Sequence, residues 1–244
     1  MSGHSHWHSI RYQKGIADAK KSKIFSKISR LISVAAREGG GDPEKNPKLR
    51  LAIEQAKTFN MPKENIERAI KRGTGELEGE KLESLVFEAI GPGKTAIIIE
   101  GITSNKNRAL SEIKQILSQY QGKLANEGSL KWLFERKGII TVNVKDQNIT
   151  KDDLELLAID AGAEDISFQD DILDIYTKPE ELEKVKKTLT EKGIKIESAV
   201  LGWKPKEEIT VSEEDREKCE KLFEALNEND AVQEIYSNLK TENK

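Results

Sequence analysis

The chain of 244 residues contains one cysteine, Cys219. A lone thiol cannot close an internal disulfide and supplies no thiol set for a Cys-based zinc site, so neither a stapled fold nor a zinc finger is expected. Histidine is almost as scarce. His4, His6 and His8 all fall in the first eight residues, which removes His-based triads and the commonest general base from the rest of the chain. Long apolar runs are missing too: the longest unbroken aliphatic stretch, Ala96 to Ile99, is far short of the roughly 20 residues that cross a bilayer, and no apolar signal core follows Met1. These absences predict a cytoplasmic protein with no membrane partner.

The nucleotide-binding motifs are also incomplete. Gly93-Lys94-Thr95 resembles the end of a P-loop, but Glu88 stands where the first glycine of that motif is needed, and a strand-like Ala96-Ile97-Ile98-Ile99 follows where a helix should open. Gly73 and Gly75 do not extend to a dinucleotide fingerprint, because Glu78 occupies its third glycine position. The alternating His4, His6 and His8 lack a carboxylate or thiolate to complete a metal site, so no metal is expected there. Cys219 falls beside Leu222 and Phe223 on one helix and reads as a buried structural thiol. Asp152-Asp153 and Asp170-Asp171 stand at a helix start and a turn, where aspartate caps and turns the chain. The expectation is therefore a protein that is not an enzyme, with no catalytic residues, no cofactor and no small-molecule substrate.

What is present is a strong separation of charge. Residues 1 to 75 carry 16 Lys and Arg against 7 Asp and Glu, a balance of +9, while residues 76 to 244 carry 24 against 36, a balance of -12. A basic module on an acidic body is attracted to a polyanion in one orientation only, and nucleic acid is the obvious polyanion. The competing explanation is that the basic helices dock on the acidic remainder of the same molecule.

Apolar spacing divides the chain further. Met1 to Tyr12 has no periodicity and reads as an arm that orders on a partner. Three helices are expected next. The first runs from about Asp18 to Glu38 through Ile24, Ile28, Leu31, Ile32 and Ala35, and Gly39-Gly40-Gly41 stops it. The second covers about Pro47 to Phe59. The third opens at Pro62 and closes with Lys71 and Arg72 before Gly73. On the first helix Lys20, Lys23, Lys27, Arg30 and Arg37 fall in an arc about 100° wide, apart from the apolar arc, with Lys21 beneath the apolar one. That cationic arc is expected to face outward.

Beyond a polar linker at Gly73 to Gly79 the period becomes strand-like. Two strands, Ser84 to Ile90 and Thr95 to Thr103, are joined by a tight turn at Gly91-Pro92-Gly93; a helix at Asn105 to Tyr120 and a strand at Leu130 to Glu135 follow. Residues 139 to 203 then read β-α-β-β-α-β, the order of a ferredoxin-like sandwich. A strand near Glu208 to Val211, a helix from Ser212 to Leu226 and a strand from Val232 to Tyr236 complete the chain. The fold class expected is α+β and multidomain: a basic three-helix domain with its arm (1–78), a discontinuous α/β domain (79–136 and 205–244), and a ferredoxin-like domain inserted in it (137–204).

The candidate nucleic-acid-binding residues are Lys20, Lys21, Lys23, Lys27, Arg30, Lys71 and Arg72 on the helices, for phosphates, with His4, His6, Trp7, Arg11 and Lys14 of the arm for groove contacts or stacking. No helix groups Asn, Gln and Arg for base edges, which favours shape or backbone recognition over sequence reading.

Several ordered segments extend this reading. Gly3-His-Ser-His-Trp7, Asp18-Ala-Lys20, Lys23-Ile-Phe-Ser-Lys27, Asn60-Met-Pro-Lys-Glu-Asn-Ile-Glu-Arg-Ala-Ile-Lys71, Gly75-Glu-Leu-Glu-Gly79, Asn105-Lys-Asn-Arg108, Leu133-Phe-Glu-Arg-Lys-Gly138 and Trp203-Lys-Pro205 resemble the YebC/PmpR family, which includes the mitochondrial translational activator of cytochrome oxidase. The resemblance spans essentially the whole chain. It implies a helical N-terminal domain with two α/β domains, one interrupted by the other. It also implies regulation of gene expression, either as a DNA-binding transcriptional regulator or as a ribosome-associated factor that binds ribosomal RNA and helps translation of proline-containing stretches. Expected partners are nucleic acid with the transcription machinery or the ribosome; a protein scaffold binding no nucleic acid is the alternative from another class. At Asn229-Asp230-Ala231-Val232-Gln233 this chain departs from the double Asp the family usually places before Val-Gln.

Overall fold

The computed structural model of the chain describes residues 18–169 and 171–240, with side chains from residue 21 onward. Three helices come first: α1 (Asp18–Gly39), α2 (Pro47–Thr58) and α3 (Lys63–Thr74). Ile28, Ile32, Ala35 and Ala36 of α1 meet Leu49, Ala52 and Ala56 of α2 and Ile66 and Ala69 of α3 in one buried cluster. Asn46 sets the turn between α1 and α2. Its amide donates to the carbonyls of Ala35 (2.8 Å) and Gly40 (2.9 Å), while its oxygen accepts from Leu49 N (3.1 Å), so one side chain satisfies orphan groups at the end of one helix and the start of the next.

Gly73 does not end the third helix, as the sequence suggests, but lies inside it, and Gly75 in the left-handed conformation is the cap. The glycine at 73 has a packing reason. A Cβ there would stand 2.3 Å from the carbonyl oxygen of Ser33, so the missing side chain is what lets α3 lie against α1. Ser33 Oγ donates to Ala69 O (2.8 Å) across the same contact.

The rest of the chain forms two sheets of four antiparallel strands, one inserted in the other, the first in the order β-β-α-β-α-β and the inserted one in the expected order β-α-β-β-α-β. The first contains β1 (Glu83–Ile90), β2 (Ala96–Thr103), β3 (Lys123–Leu124) and β8 (Val232–Ser237) in the order β3-β1-β2-β8, with α4 (Lys106–Gln119) and α7 (Glu213–Glu228) on one face. The second contains β4 (Phe134–Asn143), β5 (Asp165–Gln169), β6 (Ile172–Thr177) and β7 (Ser198–Pro205) in the order β5-β6-β4-β7, covered by α5 (Lys151–Ala161) and α6 (Leu182–Glu191). The other faces meet: Ala96 and Ile98 of β2 and Tyr236 of β8 pack on Phe134 and Ile139 of β4 and Tyr176 of β6. A strand covered on both faces reads as an unbroken apolar run, which explains Ala96-Ile97-Ile98-Ile99. Gly93-Lys94-Thr95 belongs to the turn between β1 and β2, as the sequence suggests.

Two further expectations need correction. Leu130 to Glu135 and Ile139 to Val144 are not separate strands; β4 is continuous and pairs with β7 from Phe134↔Pro205 to Thr141↔Ser198. The charged Glu135-Arg136-Lys137, which interrupts the apolar pattern, stays in the strand because its charges find partners. Arg136 lies 2.6 Å from Glu100, and Lys137 lies 3.2 Å from Glu135 and 2.8 Å from Glu164. The segment near Glu208 to Val211 forms only a single parallel bridge, Ile209↔Leu239.

Candidate nucleic-acid interface

Three residues of the cationic arc of α1, Lys23, Lys27 and Arg30, face the body of the molecule. Lys23 donates to the carbonyl of Glu228 and stands 2.7 Å from its carboxylate; Lys27 donates to the carbonyl of Asn227 (2.8 Å) and to its side-chain oxygen (3.2 Å); Arg30 donates to the carbonyl of Asp230. Lys27 is only 7% exposed. These acceptors lie at or just beyond the last turn of α7, where unpaired carbonyls carry the negative end of the helix dipole. The α1 cations therefore cap a helix of the body, and the expectation of an outward display is corrected for Lys23, Lys27 and Arg30. Arg37, further along α1, donates to the carbonyl of Leu82 in the linker.

The end of α7 is held in place for this. Asn229 donates from its amide to Glu112 of α4 (2.9 Å) and accepts from Ala231 N (2.9 Å). An aspartate at 229 would set two carboxylates against each other there.

A second seam joins the helical domain to the inserted domain. Lys186 of α6 stands 2.6 Å from Glu54 of α2 and 3.1 Å from Glu183, and Arg50 of α2 lies 3.4 Å from Glu183. Between the two seams lies a cleft of about 380 Å³, walled by Ile28, Leu31, Leu51, Val86, Ile102 and Val200. Of its charged lining groups, Glu100 accepts from Arg136 (2.6 Å) and Trp203 Nε1 (2.8 Å), and Lys48 pairs with Glu38 (2.9 Å).

The remaining expected residues separate into groups. Lys21 is exposed and sits 6.0 Å from the ring centre of Phe25. Lys71 and Arg72 are exposed in the last turn of α3 and form no ion pair among the described residues. Arg68, one turn earlier, is exposed and has no ion pair among them either; the sequence expectation omits it, although its spacing from Lys71 and Arg72 is a signal that could have found it. Lys20 lies on α1 with its side chain outside the described residues, and His4, His6, Trp7, Arg11 and Lys14 lie outside them altogether. Cys219 is fully buried against Thr95 Oγ1 (3.5 Å), and burial pushes its thiol pKa up, opposite to what a nucleophile requires.

A basic helical head capping a helix of an acidic body built on two four-stranded antiparallel sheets defines an α+β protein. Two family descriptions match it: "TACO1/YebC protein N-terminal domain" over residues 5–76 and "TACO1/YebC second and third domain" over residues 82–239. The chain belongs to the TACO1/YebC family. A protein of Halothermothrix orenii is 48% identical over 98% of this chain and 94% of its own length, and one of Thermotoga maritima is 48% identical over 100% and 96%; each bears the name "probable transcriptional regulatory protein". The crystal structure of a conserved hypothetical protein from Aquifex aeolicus, 45% identical, superposes with a TM-score of 0.90 over 97% of both chains.

Proposed function

We propose that the chain is a non-enzymatic regulator of gene expression that binds nucleic acid through its helical domain. The observation that carries this is the surplus of positive charge in that domain. Residues 1 to 75 hold a balance of +9, and in the contacts with the rest of the chain Lys27, Arg30 and Arg37 each donate to a carbonyl oxygen, while Lys23 meets both a carbonyl and a carboxylate. A carbonyl satisfies a donor without removing its formal charge, so the head keeps its positive field. Arg68, Lys71 and Arg72 provide the outward phosphate contacts, with Lys21 beside the arm that carries Trp7, Arg11 and Lys14. The names of the relatives favour DNA as the target.

The test is a salt titration of binding to duplex DNA and to structured RNA. A triple replacement, Arg68→Gln with Lys71→Gln and Arg72→Gln, is expected to weaken binding to the target and to flatten the dependence of log K on log salt by about 0.7–0.9 for each phosphate that is no longer neutralised. Unchanged affinity and slope reject the assignment. DNA bound tighter than RNA at equal salt supports transcription control; the reverse order supports the ribosomal role.

A further inference from the structure

We propose that Trp132, on the acidic body, is a stacking platform for an unpaired base of single-stranded nucleic acid. This rests on the nucleic-acid reading above and adds a binding point outside the helical domain. Trp132 is 65% exposed, more than any other large apolar side chain of the described residues, yet its ring is not loose. Its indole N–H donates to Ser129 O (2.8 Å), which uses the only donor of the ring, fixes its orientation, and leaves the aromatic face as what it offers.

The turn that carries the ring is held from beneath. Glu88, only 5% exposed, accepts from three successive parts of the loop: Gly128 N (2.5 Å), Leu130 N (2.6 Å) and Lys131 N (2.9 Å). Ser129 N and Leu133 N close local turns on Asn126 O (3.1 Å) and Leu130 O (2.9 Å). A buried carboxylate is costly unless fully bonded, and a loop that merely joins β3 to β4 has no need of one. Here it removes the motion of a surface tryptophan, the ordering that binding otherwise requires at the moment of association.

The surroundings select the occupant. The loop before the ring, Asn126, Glu127, Gly128 and Ser129, is polar, and its apolar Leu130 and Leu133 pack inward on the core between the sheets, so the exposed ring has no partly buried apolar companions in that cluster. Two exposed lysines flank the ring along the backbone: Lys131 precedes it in the loop, and Lys206 donates its backbone N–H to the carbonyl of Leu133, the residue after it (2.9 Å). From Lys123 to Arg136 the chain holds three cations and two carboxylates, a local positive excess on a body whose balance is -12. A flat exposed ring on a loop that also carries an exposed lysine suits a base and its phosphate.

The experiment measures binding of the full chain to a labelled single-stranded RNA of about 12 nucleotides and to the corresponding duplex. Trp132→Ala should bind the single strand about tenfold more weakly, the effect of one base left unstacked, with an unchanged salt slope because every phosphate contact is kept. Trp132→Tyr should restore most of the affinity, and the duplex, whose bases are already stacked, should bind both variants as it binds the parent. Trp132→Ala equal to the parent on the single strand, or equally weakened on the duplex, overturns the proposal. Failure of the parent chain to bind either polymer overturns the nucleic-acid reading itself, so the two failures are distinct. Thermal unfolding of Trp132→Ala at the parent's temperature shows that the weaker binding comes from the missing ring and not from a damaged fold.

Discussion

Replacing Lys27 by methionine separates a helix-capping contact from a surface charge. Methionine keeps most of the apolar stem and removes the ammonium, so the Asn227 carbonyl at the end of α7 is deprived of a donor it receives at 2.8 Å, and the Asn227 side-chain oxygen of one at 3.2 Å. A polar group without its donor in a part-buried position costs about 1–3 kcal/mol, and a cation at a helix C-terminus adds about 0.3–1 kcal/mol. The expected destabilisation is about 2 kcal/mol, a large share of the roughly 5–15 kcal/mol that holds a domain together. For a chain of this length that corresponds to a fall in Tm of about 4–8 °C. Lys23→Gln provides the control. Lys23 and Glu228 are 27% and 68% exposed, so their pair is worth less than about 1 kcal/mol and should weaken in about 1 M salt, whereas the Lys27 contact should hardly respond. Thermal unfolding gives the magnitudes, and hydrogen exchange gives the place: amides in the last turn of α7 should exchange faster in Lys27→Met. If Lys27→Met unfolds like the parent, the capping role assigned to Lys27 is wrong.

Two other perturbations test the packing. Gly73→Ala places a Cβ where Ser33 O stands 2.3 Å away, so α1 and α3 must separate; a destabilisation of about 1–3 kcal/mol is expected in denaturant unfolding, and a neutral outcome would refute the close-approach explanation of this glycine. Cys219 has a folded pKa raised by burial, so the folded state keeps its proton where the unfolded state has released it. Stability from this group is whole below the ordinary thiol pKa of about 8.5 and falls as pH rises from there to the folded value. Cys219→Ala should flatten that alkaline decline in chemical unfolding measured across pH, and an unchanged slope would show that the thiol contributes nothing to it.

The elements were legible in the sequence wherever the pattern was long and one-sided. The stripe through Ile24, Ile28, Leu31, Ile32 and Ala35, the β-α-β-β-α-β order and the return of the last strand to the first sheet all appear as expected, because burial on one face writes a period into the chain. The errors fall where long-range contacts overrule local signals. Gly73 resembles a stop, yet the partner that requires it is Ser33, far away in sequence. Glu135-Arg136-Lys137 resembles a break, yet Glu100 and Glu164 supply the opposite charges that let a strand run through it. Asn46 shows no unusual spacing, although it caps two helices at once. Trp132 carries no periodic signal, and only the buried Glu88 beneath its loop marks it.

The cationic arc of α1 shows why charge alone does not settle what a helix face meets. A nucleic-acid backbone presents regularly spaced oxygens of negative charge; the end of α7 presents the carbonyls of Asn227, Glu228 and, just beyond, Asp230, a smaller cluster of oxygens at the negative pole of a dipole. Lysines and arginine spaced along one face fit either, and nothing in the sequence separates the two. What separates them is the fate of the formal charge. A carboxylate neutralises the cation that binds it, so a head whose α1 cations met only carboxylates would have a smaller positive surplus. Carbonyls leave most of that charge in place. The same three residues can therefore fix the head to the body and still contribute to its positive field, so the contact that sets the orientation of the head leaves that field in place.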